Sequence, residues 1–133
     1  MRWLFAKPEI PTTSWRVVVW WESRRIPFNI IVGIYGVVCL LAFFWAIGTS
    51  GRLEPGEDAV EPIALLAAPF AINALYTLGW LVEVPTRLAN PAVSAGFGVL
   101  LLKLGLGLGL GLITLPAGFW IGVRVLQAMG LAR

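Results

Sequence analysis

Arg24 and Arg25 stand just before the first long apolar run of the chain, Glu83 closes the second, and Tyr76 lies two helical turns ahead of it. With Glu22 they are the residues whose types suit proton transfer on a lipid-linked phosphate: carboxylates as acid or base, guanidinium groups as a phosphate clamp. The rest of the sequence withdraws the support such chemistry needs. Histidine is absent, and with it the commonest general base and metal or haem ligand. Cys39 is the only cysteine, so neither an intrachain disulfide nor a Cys/His metal cluster forms. No phosphate-binding loop, dinucleotide-binding glycine pattern or Ser/His/Asp arrangement occurs. We therefore read the chain as non-enzymatic, with no cofactor or metal site, and give these residues a structural task. Two antiparallel spans bring Arg24 and Arg25 to the depth of Glu83, which predicts a salt bridge between the ends of the hairpin, with Glu22 and Arg87 as a second pair. Asn29, one turn inside the first span, is expected opposite Gly79 and Trp80.

Those side chains need a frame that spans a membrane. Of the 133 residues, 59% are hydrophobic and 13% charged, against roughly a quarter charged in soluble domains. The expected fold is an all-α integral membrane protein: a single membrane domain, residues 1–133, of three transmembrane helices with an interfacial N-terminal helix and a long kinked third helix. Residues 1–25 form the interfacial segment, whose first apolar run, Trp3 to Ala6, is too short for a secretory signal. Thr13 or Ser14 caps its helix, Trp15, Trp20 and Trp21 suit the headgroup layer, and Arg16, Arg24 and Arg25 suit anionic lipid. Residues 27–47 make the first span, with Pro27 in its first turn, Gly48 as its cap and Trp45 at the far interface. The connection 49–61 carries net charge −3 and residues 1–29 carry +3, so the N-terminus is expected in the cytoplasm and the acidic loop outside. Residues 62–84 form the second span, kinked at Pro69 and stopped by Pro85, and 85–90 the cytoplasmic loop. Asn73, Tyr76, Thr77 and Trp80 share one face of that span, and an amide near mid-membrane requires a protein neighbour.

Asn90 and Pro91 open a helical pattern, 91–129, of about 39 residues and nearly 60 Å, twice what a bilayer needs. The span within it is about 100–121. Leu104 to Val123 is an uncharged run between Lys103 and Arg124. Its Leu–Gly alternation has period 2, but a lone strand in lipid leaves its backbone groups unpaired, so helix is expected over strand. On a helix Gly105 and Gly109 groove one face, and Gly107 and Gly111 another about 200° away. Such grooves let neighbouring helices approach closely. The simplest expectation is packing inside the protomer, with the second groove leaving room for a partner chain. Lys103 snorkels to the headgroups, Pro116 permits a kink, and Trp80 and Trp120 join Lys103 as interface anchors. The alternative is four crossings, with a tight turn near residues 114–118.

The pattern Trp20-Trp21-Glu22-x-Arg24-Arg25-x-x-Phe28-Asn29, with Asn73-x-x-Tyr76-Thr77-x-Gly79-Trp80-x-x-Glu83, resembles one in uncharacterised small bacterial inner-membrane proteins. The resemblance covers the first two spans, implies the bacterial inner membrane, and carries no activity. The glycine run is similar to the packed helices of rotary ATP synthase c-subunits, yet no acid stands mid-span to carry an ion. Three functions compete. The first is a structural or accessory subunit of a membrane assembly, with lipid and other membrane subunits, identical or different, as partners. The second is a homo-oligomeric channel or transporter lined by Lys103 and Asn73, and the third an enzyme acting on lipid-linked phosphate. The missing catalytic groups and the two grooves favour the first. Nucleic acid is not an expected partner, because the basic residues flank the spans rather than gather on a soluble face.

Overall fold

The computed structural model describes residues 3–8, 13–50 and 62–131. The described residues form three helices and no strand: α1 (Ser14–Ser50), α2 (Pro62–Ala89) and α3 (Phe97–Ala128). Each is long and apolar enough to cross a membrane. α2 runs antiparallel to α1, since Trp21 meets Glu83 and Asn29 meets Asn73. α3 runs parallel to α1, with Tyr35 bonded to Thr114 and Phe43 and Ile47 clustered with Ala117.

The interior is in two parts. The larger lies at the N-terminal ends of α1 and α3, where Trp20, Trp21, Phe28, Tyr76, Val99 and Leu102 pack together with Leu4 from the N-terminal turn. The smaller lies at the opposite end, around Phe43, Ile47 and Ala117. Ile34, Leu66, Phe70, Leu108 and Leu112 are exposed. Such an outer surface suits a hydrocarbon surrounding, in which every backbone group must find its partner inside a helix.

Several boundaries differ from the sequence expectation, each for a local reason. The interfacial helix and the first span are one element: α1 passes through Pro27 and beyond Gly48 to Ser50. Pro27 withholds only the donor for the Ser23 carbonyl. Trp21 and Arg25 before it, and Phe28 and Asn29 after it, all engage α2 and hold the helix direction. Trp20 and Trp21 are accordingly buried in protein rather than anchored among headgroups, whereas Trp15 and Trp45 are exposed. Pro85 does not stop α2, which reaches Ala89. The proline costs one backbone bond, and Arg87 in the next turn is tied back to Glu83. The loop is therefore residues 90–96. There Asn90 Oδ1 accepts a bond from the Ala92 N–H at 3.1 Å, so Asn90-Pro91 makes a turn instead of opening a helix. α3 begins at Phe97 and continues through Pro116 to Ala128, which overturns the four-crossing alternative. Of the acidic connection, residues 51–61 lie outside the described residues.

Candidate functional site

Glu83 stands where the three helices meet, and it is fully buried. Its Oε2 accepts the Trp21 Nε1–H of α1 at 2.7 Å, and its Oε1 accepts the Arg87 Nε–H at 2.8 Å and pairs with Arg87 Nη2 at 2.7 Å. A separation of four residues places the arginine directly over the carboxylate on one helix face. The same guanidinium donates to the Val93 and Ser94 carbonyls at 3.3 and 3.2 Å, tying the 90–96 loop to α2. On the third side is Gly98, in the first turn of α3, where an added Cβ would lie 2.8 Å from Glu83 Oε1. A helix N-terminus carries partial positive charge. The carboxylate is thus stabilised from two directions, as a fixed structural anion should be.

Arg24 carries a second buried charge, at 5% exposure. Its Nε–H donates to the Leu4 carbonyl at 3.0 Å, and Nη2 donates to the Trp3 and Ala6 carbonyls at 3.1 and 3.3 Å. Nη1 donates to the Trp20 carbonyl at 2.9 Å and to Ser23 Oγ at 3.2 Å. The guanidinium also lies over the rings of Trp20 and Trp3, 4.1 and 4.7 Å from their centroids, where the ring quadrupole attracts a cation. Trp20 Nε1–H adds a bond to the Ala6 carbonyl at 3.0 Å. The N-terminal turn, closed by Ala6 N–H to the Trp3 carbonyl at 3.1 Å, is thereby fastened to α1.

Arg25 finds its carboxylate on its own helix, reaching Glu22 through Nε at 2.7 Å and Nη2 at 2.6 Å. Across the hairpin it donates to Thr77 Oγ1 at 3.1 Å and Asn73 Oδ1 at 3.3 Å. Asn73 Oδ1 also accepts from Asn29 Nδ2 at 3.1 Å, while Asn73 Nδ2 donates to the Pro69 carbonyl at 3.0 Å. The expected pairs Arg25–Glu83 and Glu22–Arg87 are therefore corrected to Arg25–Glu22 and Arg87–Glu83, and Asn29 meets Asn73 rather than Gly79 and Trp80. Register is the reason. Trp21, one turn before Arg25, is level with Glu83, and the buried Tyr76 hydroxyl donates to the Trp21 carbonyl, so aromatic packing sets the depth of the hairpin. Asn73→Leu removes the acceptor shared by Asn29 and Arg25 and is expected to cost about 1–2 kcal/mol, against about 0.6 for Asn29→Ala. Denaturant unfolding in detergent micelles measures both.

The tight glycines are Gly79 and Gly98, not those of the Leu–Gly run. A Cβ on Gly79 would lie 2.7 Å from Trp21 Cζ3, so the indole rests against the α2 backbone. At Gly105, Gly107, Gly109 and Gly111 an added Cβ would meet nothing within 4 Å, so none is in tight contact. Gly109 is nonetheless buried inside the bundle, as packing within the protomer requires, whereas Gly107 and Gly111 are exposed. They divide by face. Gly105 and Gly109 border a cleft of ≈ 30 Å³ with Trp21, Phe28, Tyr76 and Gly79, room for about one water. Gly107 and Gly111 face outward, and the exposed Gly118 and Gly122 continue their line. Positions 107, 111, 118 and 122 fall within about 60° on a helix. Their spacing would have revealed Gly118 and Gly122 in the sequence; nothing there marks Gly98.

Lys103 is exposed, with its ammonium 5.5 Å from the Phe5 ring centroid. Trp80 and Trp120 are half-buried. Among the described residues no three His, Cys, Asp or Glu side chains gather to hold a metal ion. Glu22 and Glu83 each hold an arginine of their own helix. Three bilayer-length helices, two of them joined by buried polar bonds, define the class: a small all-α membrane protein. No family model matches the chain, and no curated protein or solved structure does so either.

Proposed function

We propose that the protein is a structural or accessory subunit of a membrane assembly, held in a bacterial inner membrane with its N-terminus in the cytoplasm. The observation that carries this reading is the outward glycine line of α3, where a Cβ at Gly107, Gly111 or Gly122 would meet no neighbouring atom within 4 Å. Lipid tails are as apolar as leucine, so helices in a bilayer join through close backbone packing, and a glycine groove is what permits it. The junction supports the same reading from inside. Glu83, Arg24, Arg25 and Arg87 all spend their hydrogen bonds on fixing the protomer, as suits a scaffold better than a substrate site. The basic N-terminal end supports the orientation.

Gly107→Leu combined with Gly111→Leu is expected to leave thermal unfolding of the protomer unchanged and to abolish its association, read by cross-linking in native membranes and native mass spectrometry in mild detergent. A parent protein that yields no cross-linked species, with itself or with another subunit, sinks the reading. The channel alternative draws no support from the geometry, since Asn73 is engaged by Asn29 and Arg25 and Lys103 lies over Phe5. Ion flux in liposomes that vanishes on Lys103→Leu would revive it.

A further inference from the structure

We propose that the N-terminal turn, Trp3–Ala6, is a latch with Arg24 as its clasp, opened when a phosphate group that carries no cation of its own, as in phosphatidylglycerol but not in phosphatidylcholine, takes over the guanidinium. The inference is independent of how α3 associates. Of the five N–H groups of Arg24, three bind the turn, at the carbonyls of Trp3, Leu4 and Ala6, and two stay on α1. The turn therefore depends on this one side chain for most of its polar fastening.

Every one of those acceptors is neutral. Arg25 and Arg87 each face a carboxylate, whereas among the described residues the buried Arg24 is bonded only to carbonyl and hydroxyl oxygens and indole faces. A guanidinium fork matches a phosphate with two parallel bonds, each roughly twice as strong as a bond to a neutral acceptor. Arg24 lies three residues before Pro27, at the basic end of α1, against the exposed Trp3, and the exposed Trp15 stands in the first turn of the same helix. Basic and tryptophan residues of this kind mark the headgroup layer, where phosphate is abundant.

Opening the latch has consequences at α3. Leu4 leaves the cluster that holds Val99 and Leu102, and Phe5 leaves the Lys103 ammonium. Trp20 Nε1 loses the Ala6 carbonyl. The first turns of α3, against which Glu83 is set, lose their cover on that side. Headgroup charge at one end of the bundle is thus coupled to the seating of α3 through a turn only a few residues long.

Closure can be trapped, because Lys7 Cε and Ser94 Oγ lie 3.9 and 3.8 Å from the same point beside Gly96. With Cys39→Ala as background, Lys7→Cys and Ser94→Cys place two thiols that a short bifunctional maleimide bridges only while the turn is docked. The full chain is reconstituted in phosphatidylcholine vesicles, in vesicles with added phosphatidylglycerol, and in phosphatidylcholine vesicles with inorganic phosphate. The cross-linking rate is expected to fall about tenfold with phosphatidylglycerol. No change with inorganic phosphate assigns the trigger to the lipid surface; an equal fall retains phosphate as the trigger and places its source in solution. Adding Arg24→Gln is expected to give the slow rate in all three, with helix content by circular dichroism unchanged. Trp3→Ala, which keeps the charge and removes one ring, is expected to open at a lower phosphatidylglycerol content. Equal rates in both lipid mixtures, or an Arg24→Gln protein that cross-links as fast as the parent, overturn the proposal.

Discussion

Replacing Glu83 with leucine is expected to destabilise the protein by about 3–5 kcal/mol, because it removes one member of a buried ion pair and strands the other. Arg87 would keep its charge in a place where its carboxylate has become a hydrocarbon, and Trp21 Nε1–H would lose its acceptor at a position 1% exposed. Glu83→Gln separates these two losses. The amide oxygen still accepts from Trp21, so what disappears is chiefly the charge pair. Adding Arg87→Leu to Glu83→Leu is expected to recover part of the deficit, since an apolar pair in place of a buried ion pair is often neutral. The recovery should be incomplete, because Arg87 also holds the Val93 and Ser94 carbonyls. The coupling is read from a double-mutant cycle of denaturant unfolding in micelles. A Glu83→Leu protein within about 0.5 kcal/mol of the parent, the range of an ordinary surface substitution, would show that the three-helix junction does not depend on this carboxylate.

The three spans were legible because lipid makes one demand that sequence answers directly, about 20 apolar residues for each crossing. Their ends were not, since a proline read in isolation signals a boundary, whereas Pro27 and Pro85 sit between side chains that clasp neighbouring elements on both sides. The polar residues of the hairpin stand out in the sequence, but their pairing does not follow from depth alone. Depth matching treats helices as rods carrying charges at fixed heights. The arginines instead took the acids three and four residues away on their own helices, a local geometry the spacing of Glu22 with Arg25 and Glu83 with Arg87 already contains. Arg24 was invisible as a clasp, because its partners are backbone carbonyls of a turn that the sequence pattern does not announce.

The glycines give the sharpest contrast between pattern and packing, and a second large effect follows from it. Valine at Gly79 is expected to destabilise by about 3 kcal/mol, the upper range for forcing added volume into a packed core. A clash with the end of a flexible side chain is relieved by rotation, but the Trp21 ring has no such freedom: it is 1% exposed, and its Nε1–H is bonded to Glu83. Moving the ring would break that bond and disturb the edge contact with Tyr76, whose ring centroid is 5.3 Å away. Valine at Gly98 meets the Glu83 carboxylate, itself held by Trp21 and Arg87, and should cost a comparable amount. Alanine at Gly105 or Gly109 tests the other side of the argument. No atom outside the helix backbone lies within 4 Å of the new methyl, and alanine is better by about 1 kcal/mol in a helix interior, so the protomer should be unchanged or slightly stabilised. Tryptophan fluorescence during unfolding distinguishes the cases. Gly79→Val and Gly98→Val, unlike alanine at Gly105 or Gly109, should also shift the emission of the folded protein, the first by moving the Trp21 ring and the second by moving its acceptor. If Gly79→Val and Gly105→Ala unfold at the same midpoint, Trp21 does not fix α1 against α2, and the register of the hairpin must be held by Asn29, Arg25 and Asn73 instead.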